Sequence, residues 1–299
     1  MEAKLPNFLI VGAAKSGTTS LYYYLNQHPE VYMSPIKEPG FFIAQFLELP
    51  PKRRSQIIEN FDDYKKLFKN VRDEKAIGEA TPAYLYYYEN TIRYILDYLG
   101  DVKIIIILRN PVDRAFSDYQ MRVRNSGERL SFEDALLAED KRKNMALTYG
   151  CGWHYKSVGF YYNQVKAYME NFSQVRVYLY DELLANPSVL MKDVYAFLSV
   201  DTSFPLNTDV QYNVGGVPKN KFVHNILVNL RLLKSPLMRL AKVFFPDTKM
   251  QVFLENFRKR NLEKIKMKPE TREYLVNLYR DDILKLQGLI NKDLSHWLQ

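Results

Sequence analysis

Runs of apolar, β-branched residues recur along the chain, and between them apolar positions return every three or four residues. FLIVG (8–12), KIIIILR (103–109) and VRVYLY (175–180) read as strands, with VYMSP (31–35) and AIGEATP (76–82) as shorter ones. The segment 104–108 is apolar at every position, as a strand covered on both faces requires. The helical spacing predicts helices over 18–26, 89–98, 112–124, 132–138, 161–170, 188–197 and 270–289. Strands alternating with helices predict an α/β fold in which a central parallel sheet is flanked by helices on both faces. Sheets of this kind bind ligands beyond the carboxyl ends of their strands, and the candidate chemistry described below clusters there.

Length and composition add bounds. The 299 residues suffice for one large α/β domain or a domain with a cap, and 47% apolar with 14% aromatic residues supports a substantial core. We expect a single domain over 1–299. Within it, 219–265 mixes apolar and basic residues at helical spacing, which suits a helical capping or membrane-surface segment and equally an amphipathic pair packed on the sheet. A net charge of +8 favours anionic ligands or surfaces, or simply keeps a protein soluble. The single cysteine, Cys151, excludes an internal disulfide framework and points to a reducing compartment. MEAKLPN leads into the first strand without a long apolar run, so the expectation is a complete cytoplasmic chain with no signal peptide or transmembrane segment.

The loop after the first strand, VGAAKSGTTSL (11–21), has the build of a phosphate cradle: a strand, a glycine-containing turn and a helix start rich in hydroxyls. Gly12 and Gly17 have the separation of a nucleotide-triphosphate loop, yet Thr18 stands where that loop carries its lysine and Lys15 lies inside the turn. Backbone N–H groups of 15–19 at a helix N-terminus favour an anion. Lys15 would reach its far side, and the hydroxyls of Thr18 and Thr19 would add to the cradle. The next element is RNPVDRAFSDYQMR (109–122), with Arg109 ending a buried strand, Pro111 opening a helix and Ser117 two turns on. An arginine fork with a nearby serine can bind a second phosphate. Arg114 reads as a surface or ion-pair residue, with Asp118 four positions on.

These two elements together resemble sulfotransferases that use 3′-phosphoadenosine 5′-phosphosulfate (PAPS). Lys15-Ser16-Gly17-Thr18-Thr19 is similar to their K-x-G-T-[ST] loop, and Arg109, Pro111, Arg114 and Ser117 to their R-x-P-x-x-R-x-x-S motif. The resemblance continues through YDELLANP (180–187) and GGVPKNK (215–221). It implies a P-loop-type three-layer sandwich, PAPS as co-substrate with PAP as product, and no metal. It also explains the displaced lysine. A kinase lysine grips terminal phosphates alongside a metal, whereas a lysine in the turn can meet the oxygen that bridges sulfur and phosphorus.

The resemblance assigns further residues. Glu38, in SPIKEPGFF (34–42), matches the K-E-x-H-F-F glutamate that deprotonates an acceptor hydroxyl; its alternative is an ion pair with Lys37. Gly40 replaces that motif's histidine, and Ala80 replaces the lysine of E-K-[ST]-P-x-Y in GEATPAYLY (78–86). Lys37, Glu79, Tyr84 and His154 are candidates on the acceptor side, each with a structural alternative. Tyr180 matches an adenine-contacting tyrosine at a strand end. Lys219 and Lys221 both suit the 3′-phosphate, and the sequence does not choose between them. The expected partner is an acceptor with a hydroxyl group: a small alcohol, a glycan or glycolipid, or a natural-product intermediate. No nucleic-acid partner is expected, and peripheral membrane contact stays possible through 219–265. Two rival readings stand beside this one: a P-loop kinase with a deviant loop, and a non-catalytic basic protein that binds membranes or nucleic acid.

Overall fold

Five strands form the central sheet of the computed structural model, which describes residues 4–47, 57–125, 127–143, 153–208, 217–218, 262–263 and 265–299. They are β1 (Phe8–Gly12), β2 (Val31–Met33), β3 (Ala76–Ala80), β4 (Lys103–Leu108) and β5 (Val175–Leu179). Their order is β2-β3-β1-β4-β5, and every neighbouring pair is parallel. The helices are α1 (Thr18–Leu25), α2 (Phe41–Ala44), α3 (Phe61–Lys66), α4 (Ala83–Tyr86), α5 (Tyr88–Leu99), α6 (Pro111–Arg124), α7 (Phe132–Lys143), α8 (Tyr161–Asn171), α9 (Tyr180–Ala185), α10 (Pro187–Leu198) and α11 (Pro269–Ile290). All the strands and longer helices read from periodicity are present. The short α2, α3, α4 and α9 were not read, since a helix of one or two turns carries too few positions to show a period.

Side-chain alternation along the strands builds two cores. Leu9, Val11, Ile104, Ile106 and Leu108 pack with residues of α5, α6, α8 and α11 on one face. Phe8, Ile10, Ile105 and Ile107 pack with α1 and α10 on the other. Both faces being dry, β4 has no polar position between Ile104 and Leu108, as its sequence required.

The strand ends have local causes. Asn110 caps α6 by accepting from the Val112 amide at 3.0 Å, with Pro111 in the first turn, and so turns the chain away directly after Arg109. After β5 the expectation is corrected: Tyr180 is not the last strand residue but the first of α9. The Glu182 carboxylate accepts from the Leu179 amide at 2.8 Å, which starts the helix there. Beyond the sheet, β6 (Val217–Pro218) pairs antiparallel with β7 (Leu262–Glu263), so the two ends of the intervening segment meet. Gln120 of α6 donates to the Ile265 carbonyl at 3.3 Å, which places that ribbon's exit beside α6. Most of 219–265 lies outside the described residues.

Candidate active site

The turn after β1 is fixed at both ends. The Ala13 amide donates to the Ile107 carbonyl of β4 at 2.7 Å, and the Ser16 amide to Ala13 at 3.3 Å. Gly17 precedes α1 with φ +98°, and a Cβ there would stand 2.9 Å from side-chain atoms of both Leu183 and Tyr180. Only glycine meets both demands. No side chain caps α1 and no acidic residue lies in its first turn, so its amides and dipole are left to an anion. Thr18 is buried, Thr19 half-buried, and Ser16 is buried beside Tyr161.

Lys15 is half-buried, with its backbone in the left-handed region at φ 69°. Its ammonium donates to the Met121 sulfur on α6 at 3.3 Å. Desolvation lowers its pKa from 10.5 to about 8; Asp118 works against the fall, Arg124 and Arg109 add to it, and Glu38 opposes it. A lysine gathered with arginines around an uncapped helix start is electrostatically unsatisfied, and an anion would relieve it.

Arg109 is brought to this loop directly. Its guanidinium donates to the Lys15 carbonyl at 3.4 Å and lies 4.9 Å from the Tyr180 ring centroid. Tyr161 fixes it from behind, donating to the Arg109 carbonyl at 3.1 Å. Ser117 is half-buried on α6, one turn before Met121 and therefore on the same side of the helix. Arg114 lies 4.0 Å from Asp118, but it is not a surface residue: it is fully buried and donates to the Tyr155 carbonyl.

The loop that carries Glu38 crosses the end of β3. Ser34 donates to the Gly78 carbonyl at 2.8 Å, Glu38 to Ala80 at 3.1 Å, and Gly40 to the Thr81 hydroxyl at 3.4 Å. Glu38 has φ 61° and Gly40 φ 69°. The Glu38 side chain is 48% exposed and accepts from Lys37 at 2.5 Å, so the ion pair foreseen with Lys37 is made at the mouth of the site. Glu38 is close enough for its charge to raise the Lys15 pKa.

Glu79 and Tyr84 do not line that mouth. Both are fully buried in this structure. One Glu79 oxygen accepts from the Thr81 hydroxyl at 2.8 Å. Tyr84 accepts from the Phe42 amide at 3.4 Å. Burial raises the Glu79 carboxyl from 4.5 to about 7, against hydrogen bonds from Thr81 and Tyr84 and with the Glu38 charge adding to the rise. The native state therefore keeps a proton that the unfolded chain releases. The resulting stability is present below the ordinary carboxylate pKa and is lost as pH rises through about 7. Glu79→Gln should match wild type near pH 4 and be more stable by about 3 kcal/mol at pH 8. Urea unfolding at the two pH values checks this, and a pH-independent difference would refute it.

His154 is buried with its ring edge-on to Tyr86, the centroids 5.5 Å apart. Lys219, Lys221 and Cys151 lie outside the described residues. Among the described residues no group of three or more His, Cys, Asp or Glu could hold a metal ion, and no helix is long and apolar enough to cross a membrane. Sequence reasoning missed Met121 and Tyr161. Met121 could have been found by its place four residues after Ser117; Tyr161 carries no local signal.

Fold and site together define an α/β protein that gathers cationic and amide donors for an anionic ligand across the carboxyl ends of β1 and β4. Residues 5–217 match the sulfotransferase domain family. The chain belongs to that family. It is 34% identical over 120 residues to the membrane-associated sulfotransferase kil1 of Dictyostelium discoideum, a match covering 40% of this chain and 24% of that one. It is 26% identical over 199 residues to heparan sulfate glucosamine 3-O-sulfotransferase 3A1 of Mus musculus, covering 66% of this chain and 46% of that one. The chain thus matches less than half the length of either relative. A sulfotransferase from Alicyclobacillus acidocaldarius, solved by crystallography, superposes with a TM-score of 0.76 at 34% identity, covering 99% of this chain and 100% of that one.

Proposed function

We propose that this protein is a PAPS-dependent sulfotransferase that transfers a sulfuryl group to an acceptor hydroxyl and releases PAP. The observation that carries the reading is the meeting of Lys15, the uncapped start of α1, Arg109 and Tyr180 in one cluster of contacts. The residues fit the group: amides and Lys15 for the 5′-phosphosulfate, Arg109 and Ser117 for the 3′-phosphate, and the Tyr180 ring for adenine. PAPS supplies the activated sulfuryl group. Glu38 takes the proton of the acceptor hydroxyl, whose oxygen forms the new bond to sulfur. Lys15 and the loop amides oppose the negative charge that grows on the departing phosphate oxygen, a preorganised electrostatic role.

Several parts of the reading rest on sequence. Lys219 or Lys221 would close on the 3′-phosphate, and 219–265 would cap the acceptor within a single 1–299 domain. A cytoplasmic setting goes with the lone cysteine. Gly40 and Ala80 supply no side-chain charge where heparan-type relatives carry histidine and lysine, which favours a neutral acceptor such as a small alcohol, a glycolipid or a natural-product intermediate.

PAP or PAPS should raise the melting temperature, since a ligand at a hundred times its Kd adds about 2.7 kcal/mol. ATP with Mg²⁺ should do much less, because the residue that follows β4 is Arg109 rather than an acidic residue able to hold Mg²⁺. Equal stabilisation by ATP–Mg²⁺ would move the reading to a kinase. Salt-sensitive binding to liposomes or oligonucleotides without PAP binding would move it to a non-enzyme.

A further inference from the structure

The last residues of the chain lie past residue 217, where the family match ends, yet they reach the site. A short 3₁₀ turn, Ser295–Leu298, follows α11 and buries Trp297 completely. The Trp297 indole N–H donates to the Asp181 carboxylate at 3.2 Å, and His296 Nε2 lies 3.1 Å from the same oxygen. The Trp297 carbonyl accepts from the Asn110 side chain at 3.4 Å. Asp181 directly follows Tyr180 and Asn110 directly follows Arg109. One residue thus touches the immediate neighbours of both halves of the Arg109–Tyr180 stack. Its ring also packs against Tyr161, at 6.4 Å between centroids, and Tyr161 holds the Arg109 carbonyl.

Two ion pairs add to the arrangement. Arg272 of α11 pairs with Asp113 of α6, and Lys292, just past α11, pairs with Glu182 of α9 at 2.5 Å. The C-terminal segment is therefore tied to the helix that follows Arg109 and to the helix that follows Tyr180. Strand pairing fixes where β4 and β5 end, but the angle at which each chain leaves the sheet is set by what holds the first helical turn. An error of the order of an ångström in a guanidinium or a stacking ring is enough to weaken a bound nucleotide.

We infer that the C-terminal turn is a positioning element of the nucleotide site, with Trp297 as the positioning residue that sets Arg109 against Tyr180. The inference rests on the proposed function, in which that stack receives the adenosine 3′-phosphate end of the nucleotide. Trp297 touches no reacting atom. It acts on how tightly the nucleotide is held and leaves the transfer step to Lys15 and Glu38.

The test uses the full chain, with PAP as probe. Trp297→Phe keeps a buried ring and deletes the N–H; Asp181→Asn weakens the same bond from its half-exposed end. Each should raise the PAP Kd by about tenfold, because a loosened Arg109–Tyr180 pair no longer meets the nucleotide in its binding geometry. Turnover at saturating PAPS should stay within about twofold of wild type, because uniform binding is lost rather than transition-state binding. The double variant should cost little more than either single one, since both remove one interaction. A purely structural Trp297 would lower the melting temperature and leave the PAP Kd unchanged, and that result overturns the inference. If Trp297→Phe does not fold, Asp181→Asn decides alone by the same Kd. Failure of the wild type to bind PAP at all would overturn the proposed function and this inference with it; normal wild-type binding with unaltered variants would overturn this inference only.

Discussion

Glu38→Gln should lower turnover by about 10²–10⁴-fold, the range for a positioned general base, while the PAP Kd stays near that of wild type. The separation follows from where Glu38 sits. Its loop is held by the end of β3, through the amide of Glu38 on Ala80, whereas Arg109 is tied to the Lys15 carbonyl and the Tyr180 ring. Glutamine keeps the size of the side chain and loses the charge, and with it the proton acceptor and the ion pair to Lys37. Arg109→Ala should behave in the opposite way, weakening PAP first, because its guanidinium spans the Lys15 carbonyl and the Tyr180 ring. Single-turnover sulfate transfer and PAP titration on both variants distinguish the two roles. Wild-type turnover in Glu38→Gln would move the base elsewhere; His154, the next candidate by sequence, is buried against Tyr86 and would need to move to serve.

Lys15→Ala should reduce kcat by roughly 10²–10³-fold, the loss seen when one preorganised stabiliser of developing charge is removed. PAP affinity at neutral pH should fall only modestly, as the amides of the turn and the start of α1 still hold the phosphate. Moving the charge, in Lys15→Ala/Thr18→Lys, should not restore activity. Thr18 is a buried first residue of α1, so a lysine there starts from the helix and faces a different oxygen. The wild type should also bind PAP more weakly as pH rises through about 8, since the free protein then loses the Lys15 proton that an anion needs. Lys15→Ala should lack that dependence. A Lys15→Ala enzyme with normal kcat and poor PAPS affinity would show that the lysine only binds.

The sheet was legible because hydrophobic period depends on nothing beyond the local chain. The all-apolar 104–108 run could only be a strand buried on both sides, and it is β4. The turn after β1 was legible for a related reason: the glycine spacing marks where a strand gives way to the start of a helix, which is where Gly17 and α1 lie. Tyr180 was misplaced because VRVYLY continues the strand pattern, and nothing in those six residues shows that Glu182 will turn the chain at Leu179. The interior positions of Glu79, Tyr84 and Arg114 were hidden for a different reason. Motif order tells that a residue lies near a strand end, not which side of the backbone it takes, and all five residues of β3 are buried. Trp297 had no period or spacing to reveal it; its role depends on four chain segments meeting.

Lys15 and Glu38 share one peculiarity, left-handed backbones at φ 69° and 61°. For residues with a Cβ this costs about 1–2 kcal/mol each relative to glycine. The rest of the molecule must hold that energy in store, so the two positions assigned to the chemistry are also two where the chain is less durable than it could be. Selection for heat resistance alone, without a demand for turnover, would therefore drift toward glycine at 15 and 38, and the hardiest descendants of this sequence would be the inert ones.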